Sequence, residues 1–485
     1  MYNTNMVGRK KEIEELNRIY NSNRAQLVAV YGRRRVGKTY LVDETFKRMI
    51  TFRHAGLSPV EVGKGASTSP LKAQLKHFYN SLILHGMKKE ECPDNWLDAF
   101  LLLEMFLESK STTEKQIVFL DELPWMDTHK SGFITAFEGF WNTWGCHRDN
   151  LIVIICGSAT SWITDNLINN HGGLYNRLTF EMKLSPFTLR ECEQYFDAEG
   201  IKLSRYDITQ AYMVTGGIPY YLSYFKKGKS LPQNIDELFF AKNAKLKNEF
   251  ERLFFSIFNR PDMMISIIKL LSTRNAGYTR SEIAASIGCS SGGTFSQALN
   301  ALIESDFIVK YIPFGYSKRM EHYKLVDPFC MFYIKFVENK NKLNETFWQH
   351  NQVAQSVVSW RGFAFESVCF NHINQIKHAL EIGGVSATYS AWSKREDDAE
   401  GTQVDLIIER KDNVVNMCEI KFYGNDFSVS KDYHKTLINR QELLSKELSR
   451  KVIIHNTLIT TYGLKYNEYS SDFDSVITLD DLFIK

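Results

Sequence analysis

The first half of the chain sets short, mostly apolar runs against amphipathic stretches. Residues 26–30 (QLVAV), 117–120 (IVFL) and 151–159 (LIVIICGSA) each have strand length, and the second has the continuous apolarity of a strand buried on both faces. An amphipathic run follows the glycine-rich YGRRRVGKT and predicts a helix.

The middle of the chain changes character. Residues 226–232, with Lys226, Lys227, Gly228, Lys229 and Pro232, are polar and basic and read as a linker. Three helical patterns and a strand follow. Thr279 and Glu282 have capping-box spacing ahead of Ile283 and Ala284. Residues 295–304 form the next helix, with Leu299 and Leu302 facing inward, and residues 307–328 read as a β-hairpin wing. The pattern spells a winged helix-turn-helix. Its second helix is nearly uncharged, whereas a DNA-reading helix brings Lys or Arg to the phosphates. The basic residues Lys310, Lys318, Arg319 and Lys324 lie in the wing, so a structural or interaction role suits the helix better. The aromatic segment 327–343 reads as core.

Nearer the C-terminus, residues 357–373 predict a helix with Phe363, Phe365, Val368 and Phe370 among its apolar positions and Glu366 interrupting them. Residues 404–409 and 414–422 predict two strands joined by a turn at 411–413. Alternation along the second strand puts Glu419 and Lys421 on one face, while Asp405 begins the partner strand. Residues 429–448 then predict a helix and 450–456 a further core strand.

Composition narrows the classes. A chain of 485 residues suggests two to four domains. An apolar share of 44% with 24% charged residues makes wholesale disorder a poor reading. The net charge of +3 neither demands nor excludes nucleic acid, because a local patch matters more than the total. Eight scattered cysteines without a CxxC pair argue against zinc and fit free thiols in a reducing compartment. The start of the chain lacks an apolar signal segment and no run is long enough to span a bilayer, so a cytoplasmic protein with no membrane partner is expected.

Two constellations carry chemistry. Gly32 to Thr39 fits G-x-x-x-x-G-K-[ST] between a strand and a helix, the context that makes the pattern a phosphate site. Gly32 and Gly37 let backbone N–H groups converge on phosphate oxygens, Lys38 reaches the β- and γ-phosphates, and Thr39 binds Mg²⁺. Tyr40 follows them among the expected nucleotide-binding residues. Asp121 and Glu122 end the second strand, where ligands gather in open α/β sheets. Asp121 would hold the Mg²⁺ through water and Glu122 would polarise the attacking water. Ser158, at the third strand's tip, is either a γ-phosphate sensor or a turn former. Arg33, Arg34 and Arg35 add positive charge inside the loop.

With MVGRKKEIEEL, FLDELPWM, GSATSWI, LYNRLTFEMKLSPFT and TGGIPYYL, residues 6–222 resemble the AAA-type P-loop ATPases often called archaeal ATPases, relatives of the STAND and origin-recognition-like ATPases. The resemblance implies that Val7, Gly8 and Arg9 line the adenine pocket. It also implies that Arg177 acts as an arginine sensor or finger, and that Gly216 to Pro219 close the site from a helical lid. From the residues alone, Arg177 is equally a surface arginine.

The second constellation is Glu366, Asp405, Glu419 and Lys421. Two carboxylates on adjacent strands can hold a divalent metal that activates water, and a lysine two residues on can orient that water. Hard oxygen ligands favour Mg²⁺ or Mn²⁺. The set resembles the PD-(D/E)xK nuclease superfamily, with Val404 in place of the usual proline before the aspartate.

The expected architecture is therefore α/β and multidomain. A P-loop ATPase core with a parallel sheet spans residues 1–190, a helical lid and linker 191–250, a winged helix-turn-helix 251–345 and a restriction-endonuclease-like domain 346–485. The expected function is ATP hydrolysis coupled to a nuclease-like effector acting on DNA or RNA. The alternatives are a STAND-like switch with a protein partner or second copy of the chain, and a DNA-binding regulator.

Overall fold

A computed structural model describes residues 6–58, 69–110, 113–169, 172–174, 176–258, 261–316, 320–338, 344–396 and 399–484, without the side chains of 393–396 and 399–402. Lys318 and Arg319, expected in the wing, lie outside the described residues. The chain divides into two compact units, Met1–Pro186 with Arg252–Pro261, and Phe187–Glu251 with Asp262–Lys485.

The first unit is built on five parallel strands: β1 Gln26–Tyr31, β2 Ile50–Ala55, β3 Gln116–Asp121, β4 Leu151–Gly157 and β5 Phe180–Lys183. Their order is β2-β3-β4-β1-β5. β3 and β4 are buried along their whole length, in keeping with the apolar runs 117–120 and 151–156 at their centres. One face packs an aromatic cluster from helices Pro70–Leu84, Trp96–Glu108 and Phe133–Gly139. Phe52, Phe78, Trp96, Phe100 and Phe133 meet mostly edge to face there, each such pair worth about 0.5–1.5 kcal/mol beyond the area it buries. The order places β1 between β4 and β5, so its C-terminal end opens the crevice that the phosphate loop fills.

The second unit begins with helices Leu189–Ala198 and Arg205–Thr215, the first entered through a reciprocal Thr188–Glu191 capping box. The stretch read as a linker is folded. Ser230 and Gln233 form a capping box for helix Leu231–Ile235, Asn234 accepts the Lys226 N–H at 2.7 Å, and Glu237 takes both Lys226 and Lys229. The buried carboxylate of Asp236 then caps helix Phe347–His350 through the Trp348 and Gln349 N–H groups. Lys226 and Lys229 pair with Glu237 while remaining partly solvent-exposed.

A small antiparallel sheet follows, β6 Tyr278–Thr279, β7 Ile308–Tyr311 and β8 His322–Leu325 in the order β6-β8-β7, with helices Arg280–Ser286 and Gly293–Glu304. The Thr279–Glu282 capping box is reciprocal, and Leu299 and Leu302 are buried as their spacing predicts. The aromatic segment after β8 is core. Phe332 and Phe336 pack edge to face on Trp348 and Trp360.

A separate mixed sheet closes the chain: β9 Ala387–Glu396, β10 Ala399–Arg410, β11 Val414–Lys421, β12 Ile453–Thr460 and β13 Ser475–Ile477, ordered β13-β12-β11-β10-β9. The three strands from β9 to β11 form an antiparallel meander, and β11, β12 and β13 run parallel. Helix Lys431–Glu447 crosses from β11 to β12, as a parallel pair requires. Helix Gln355–Asn371 also packs on this unit. It buries Val357, Trp360, Ala364, Phe365 and Val368, while Phe363 is exposed, off the inward stripe. Among the described residues, no helix is long and apolar enough to cross a membrane.

Candidate functional site

The phosphate loop joins β1 to helix Lys38–Phe46. Gly32 has φ 134°, and a Cβ there would lie 2.4 Å from the Leu184 carbonyl oxygen, so only glycine fits. Gly37 caps the helix at φ 92°, and a Cβ there would meet nothing within 4 Å. The first N–H groups of a helix have no partner within it, and a helix starting directly after a glycine-rich loop is the arrangement an anion needs. The Lys38 ammonium is buried and donates to the carbonyls of Gly32 and Arg33, both at 3.0 Å.

Thr39 Oγ1 donates to Asp121 Oδ2 at 2.9 Å, joining the helix start to the end of β3. Asp121 Oδ1 accepts the Glu122 N–H at 3.0 Å. Glu122 itself is left-handed, with φ 45°, a conformation uncommon for a non-glycine residue. That turn aims its carboxylate at the tip of β4. There Ser158, fully buried, donates its backbone N–H and its hydroxyl to Glu122 at 2.9–3.0 Å. Ser158 is thus a holder of Glu122 in this structure. Cys156, buried beside Asp121, has its thiol pushed well above the usual range, first by burial and then by that carboxylate, and is neutral.

In the second unit, Glu366, Asp405, Glu419 and Lys421 come from three elements to one region. Asp405 lies inside β10 rather than at its start, where the pairing with β9 shifts register between Val404 and Ile407. Such an irregularity re-aims a side chain, and Asp405 Oδ2 accepts the Ile420 N–H of β11 at 3.1 Å. Burial, then the charges of Glu366 and Glu419, push its carboxyl up to about 7. Glu366 is buried, not a surface glutamate. Burial raises its pKa against the pull of Lys324, 3.8 Å away, and Asn275 donates to its Oε2 at 2.5 Å. Glu419 receives Tyr433 Oη at 2.5 Å and Arg440 on its other oxygen, with Lys421 Nζ at 3.3 Å. Glu419 and Lys421 share a face, as alternation predicts. Among the described residues, no group of three or more His, Cys, Asp or Glu is disposed to hold a metal ion. The hard-oxygen donor set fits Mg²⁺ or Mn²⁺ chemically, but Glu366 and Glu419 are turned to cationic and hydroxyl partners.

Residues 6–225 match the family described as an ATPase domain predominantly from Archaea. This stretch is a P-loop ATPase domain. An uncharacterized protein of Methanocaldococcus jannaschii is 24% identical to the chain over 436 residues, covering 88% of this chain and 90% of its own. Among solved structures, the Walker-type ATPase of Pyrococcus abyssi has 16% identity and a TM-score of 0.48, covering 69% of this chain and 97% of that one. The ORC2 protein of Aeropyrum pernix, solved in ADPNP–ADP complexes, has 15% identity and a TM-score of 0.40, covering 71% and 95%.

The other residues expected of the ATPase domain are placed as follows. Val7 is half-buried and Gly8 buried. Arg9 is buried, donating to the Val36 carbonyl of the phosphate loop at 3.3 Å and to Ser185 O at 2.6 Å. Tyr40 is exposed on the helix that follows the loop. Arg177 is exposed in the turn before β5. Thr179, two residues on, pairs with Leu27 near the start of β1, so Arg177 sits at the end of the parallel sheet away from the phosphate loop. Gly216 and Gly217, in the second unit, form a left-handed turn before Pro219. A Cβ at Gly217 would lie 2.4 Å from the Phe187 carbonyl oxygen.

Sequence reasoning missed the groups that engage the acidic residues. Tyr433 and Arg440 share an inward stripe with Leu437 and Leu444 at helical spacing. Two polar members of a buried stripe are a readable signal for a buried charge partner. Lys324 and Asn275 gave no such signal, because they reach Glu366 only through tertiary contact.

Proposed function

We propose that the chain is an ATP-governed effector in which the P-loop ATPase domain controls a C-terminal PD-(D/E)xK-type, metal-dependent nuclease domain acting on DNA or RNA. In this layout residues 1–190 are the ATPase core, 191–250 a helical lid, 251–345 a winged helix-turn-helix and 346–485 the nuclease-like domain. The ATP half rests on the loop's geometry: a backbone that only glycine fits at Gly32, a helix start at Lys38 and the Lys38 ammonium buried at the base of the loop. Thr39 and Asp121, already in contact, would hold Mg²⁺, which offsets phosphate charge when bound. Lys38 binds the β- and γ-phosphates, Glu122 orients the attacking water, and Ser158 fixes Glu122. Arg177 would serve the nucleotide of a neighbouring copy, since its own loop lies at the other end of the sheet.

The observation that carries the nuclease half is the convergence of Glu366, Asp405 and Glu419 with Lys421 on a helix and two strands. A divalent ion bound by Asp405 and Glu419 would supply an activated water. Lys421 would orient that water and offset the charge of the scissile phosphate. Of the basic residues expected in the wing, Lys310 is exposed on β7 but pairs with Glu321 at 3.2 Å and Lys324 is buried, so the nucleic-acid partner rests on the acidic site rather than on the wing. The helix Gly293–Glu304 carries no Lys or Arg and supports an interaction role instead.

The test is cleavage of single- and double-stranded DNA and RNA with Mg²⁺ or Mn²⁺, with and without ATP. Asp405→Ala and Lys421→Ala should remove cleavage and leave ATP hydrolysis. A second reading, a STAND-like switch that toggles a protein partner, is favoured by Glu419 having both oxygens engaged by Tyr433 and Arg440. Absence of cleavage on every substrate with either metal would decide for it.

A further inference from the structure

We infer that Lys324 is a built-in cation that keeps the acidic site of the C-terminal domain closed to its metal ion, so that the small three-stranded sheet acts as a latch on that site. The inference rests on the nuclease reading for the site's identity and adds its regulation.

Lys324 lies on β8, outside the C-terminal sheet, yet its side chain is only 3% exposed. Its ammonium stands 3.8 Å from Glu366 Oε2 and over the Phe370 ring at 4.7 Å. A buried lysine is costly unless a counter-charge meets it. Here the counter-charge is an acid expected at a metal site. Burial lowers the Lys324 pKa, and the charges of Glu366 and then Asp405 work against that lowering, so the side chain lies in the field of two of the three acidic residues.

The rest of the seam comes from the same module. Asn275, in the turn before β6, donates to the same oxygen of Glu366 that faces Lys324. Phe314, just past β7, donates its N–H to Ala391 O of β9 at 3.2 Å. A pocket runs along this seam, with Asn275, Tyr311 and Lys324 on one wall and Glu366, Trp392 and Asp405 on the other. The acidic residues therefore look into a cleft whose far wall belongs to the winged-helix-like module.

Glu366 Oε2 already serves Lys324 and Asn275, so a divalent ion approaching that oxygen competes with both. Like-charged Lys324 also raises the cost of bringing an ion to Asp405 and Glu366. Withdrawing β8 by a few ångströms would remove both obstacles and open the cleft. A lone buried ion pair is weak evidence for stability but is well suited to holding one of two states.

The test is Mn²⁺ binding to the full chain, followed by titration calorimetry and by the loss of free Mn²⁺ signal in electron paramagnetic resonance. Lys324→Met, which keeps the side-chain length without charge, is expected to bind Mn²⁺ at least tenfold more tightly than the wild type at a site lost in Lys324→Met/Asp405→Asn. The measurement is made with nucleotide-free protein and repeated with Asp121→Asn, so that ions at the phosphate loop are not counted. Should Lys324→Met fail to fold by circular dichroism, Asn275→Ala leaves the ion pair in place and is expected to tighten Mn²⁺ binding two- to fivefold. Equal Mn²⁺ affinity of wild type and variants overturns the latch, as does wild-type protein that already binds Mn²⁺ as tightly as Lys324→Met. Tight binding in Lys324→Met without cleavage of any nucleic acid supports the latch and rejects the nuclease reading. Metal-dependent cleavage that is equal in wild type and Lys324→Met does the reverse.

Discussion

Replacing Ser158 with alanine isolates the contact that holds Glu122 at the end of β3. The serine is fully buried, and its hydroxyl and backbone N–H both donate to the Glu122 carboxylate at 2.9–3.0 Å. Alanine removes the hydroxyl and leaves the N–H, so one of two donors is lost without a change of fold. A hydrogen bond to a charged group is worth about 1.5–3 kcal/mol. The surviving donor holds part of the geometry, so the lower end of that range is the better figure. With each 1.36 kcal/mol worth about tenfold in rate, kcat for ATP hydrolysis should fall about tenfold and by no more than about a hundredfold. Neither Ser158 group is bonded to the loop backbone, so ATP affinity should stay within about twofold, the scatter of additive distant sites. Phosphate release at saturating Mg·ATP gives the first quantity and displacement of a fluorescent nucleotide the second. A kcat unchanged within twofold would refute the orienting role. A loss of affinity with unchanged kcat would make Ser158 a phosphate ligand instead.

Other outcomes follow from the same geometry. Gly32→Ala places a Cβ 2.4 Å from the Leu184 carbonyl oxygen at φ 134°, and should cost about 3 kcal/mol in urea unfolding as well as nucleotide binding; near wild-type stability would contradict it. Arg440→Met removes the partner of Glu419 Oε1 while Tyr433 and Lys421 stay on Oε2, and should destabilise the second unit by about 1.5–3 kcal/mol, read from chemical denaturation, where no loss would contradict the pairing. Burial holds His54 neutral, with a pKa of about 3, and His372 with a pKa of about 4. In the unfolded chain each takes up a proton near pH 6.5, so stability is full above that pH and falls as the pH drops, until the folded-state values are reached. Between pH 7.5 and 5.0 each ring should cost about 2 kcal/mol, and a flat profile of unfolding free energy over that range would contradict both assignments.

How much could be read in advance depended on how local each feature is. The phosphate loop was legible because its backbone demands glycine at two fixed positions, and Gly32 and Gly37 both adopt conformations that favour it. The buried strands β3 and β4 were legible for a similar reason, being apolar at almost every position. The Thr279–Glu282 box and the shared face of Glu419 and Lys421 are set within a few residues, and both follow from spacing. The fold of residues 226–240 was hidden because its lysines pair with Glu237 and its Asn234 ties the turn, so a polar composition conceals an ordered segment. Side-chain alternation puts Asp405 at a strand start because a register irregularity leaves no trace in it. The position of Arg177 depends on β5 joining beside β1, a choice of strand order that no run of residues around it records.

The central claim is that the loop from Gly32 to Thr39 binds ATP through Lys38, and the most direct measurement is calorimetric titration of Mg·ATP into the wild-type chain and into Lys38→Ala. Lys38 is the buried cation at the base of the loop, held now by two backbone carbonyls. The account predicts one site per chain in the wild type and loss of measurable binding in Lys38→Ala, with the circular dichroism of the two proteins unchanged. Equal affinity in both proteins, or no binding in the wild type, would contradict it.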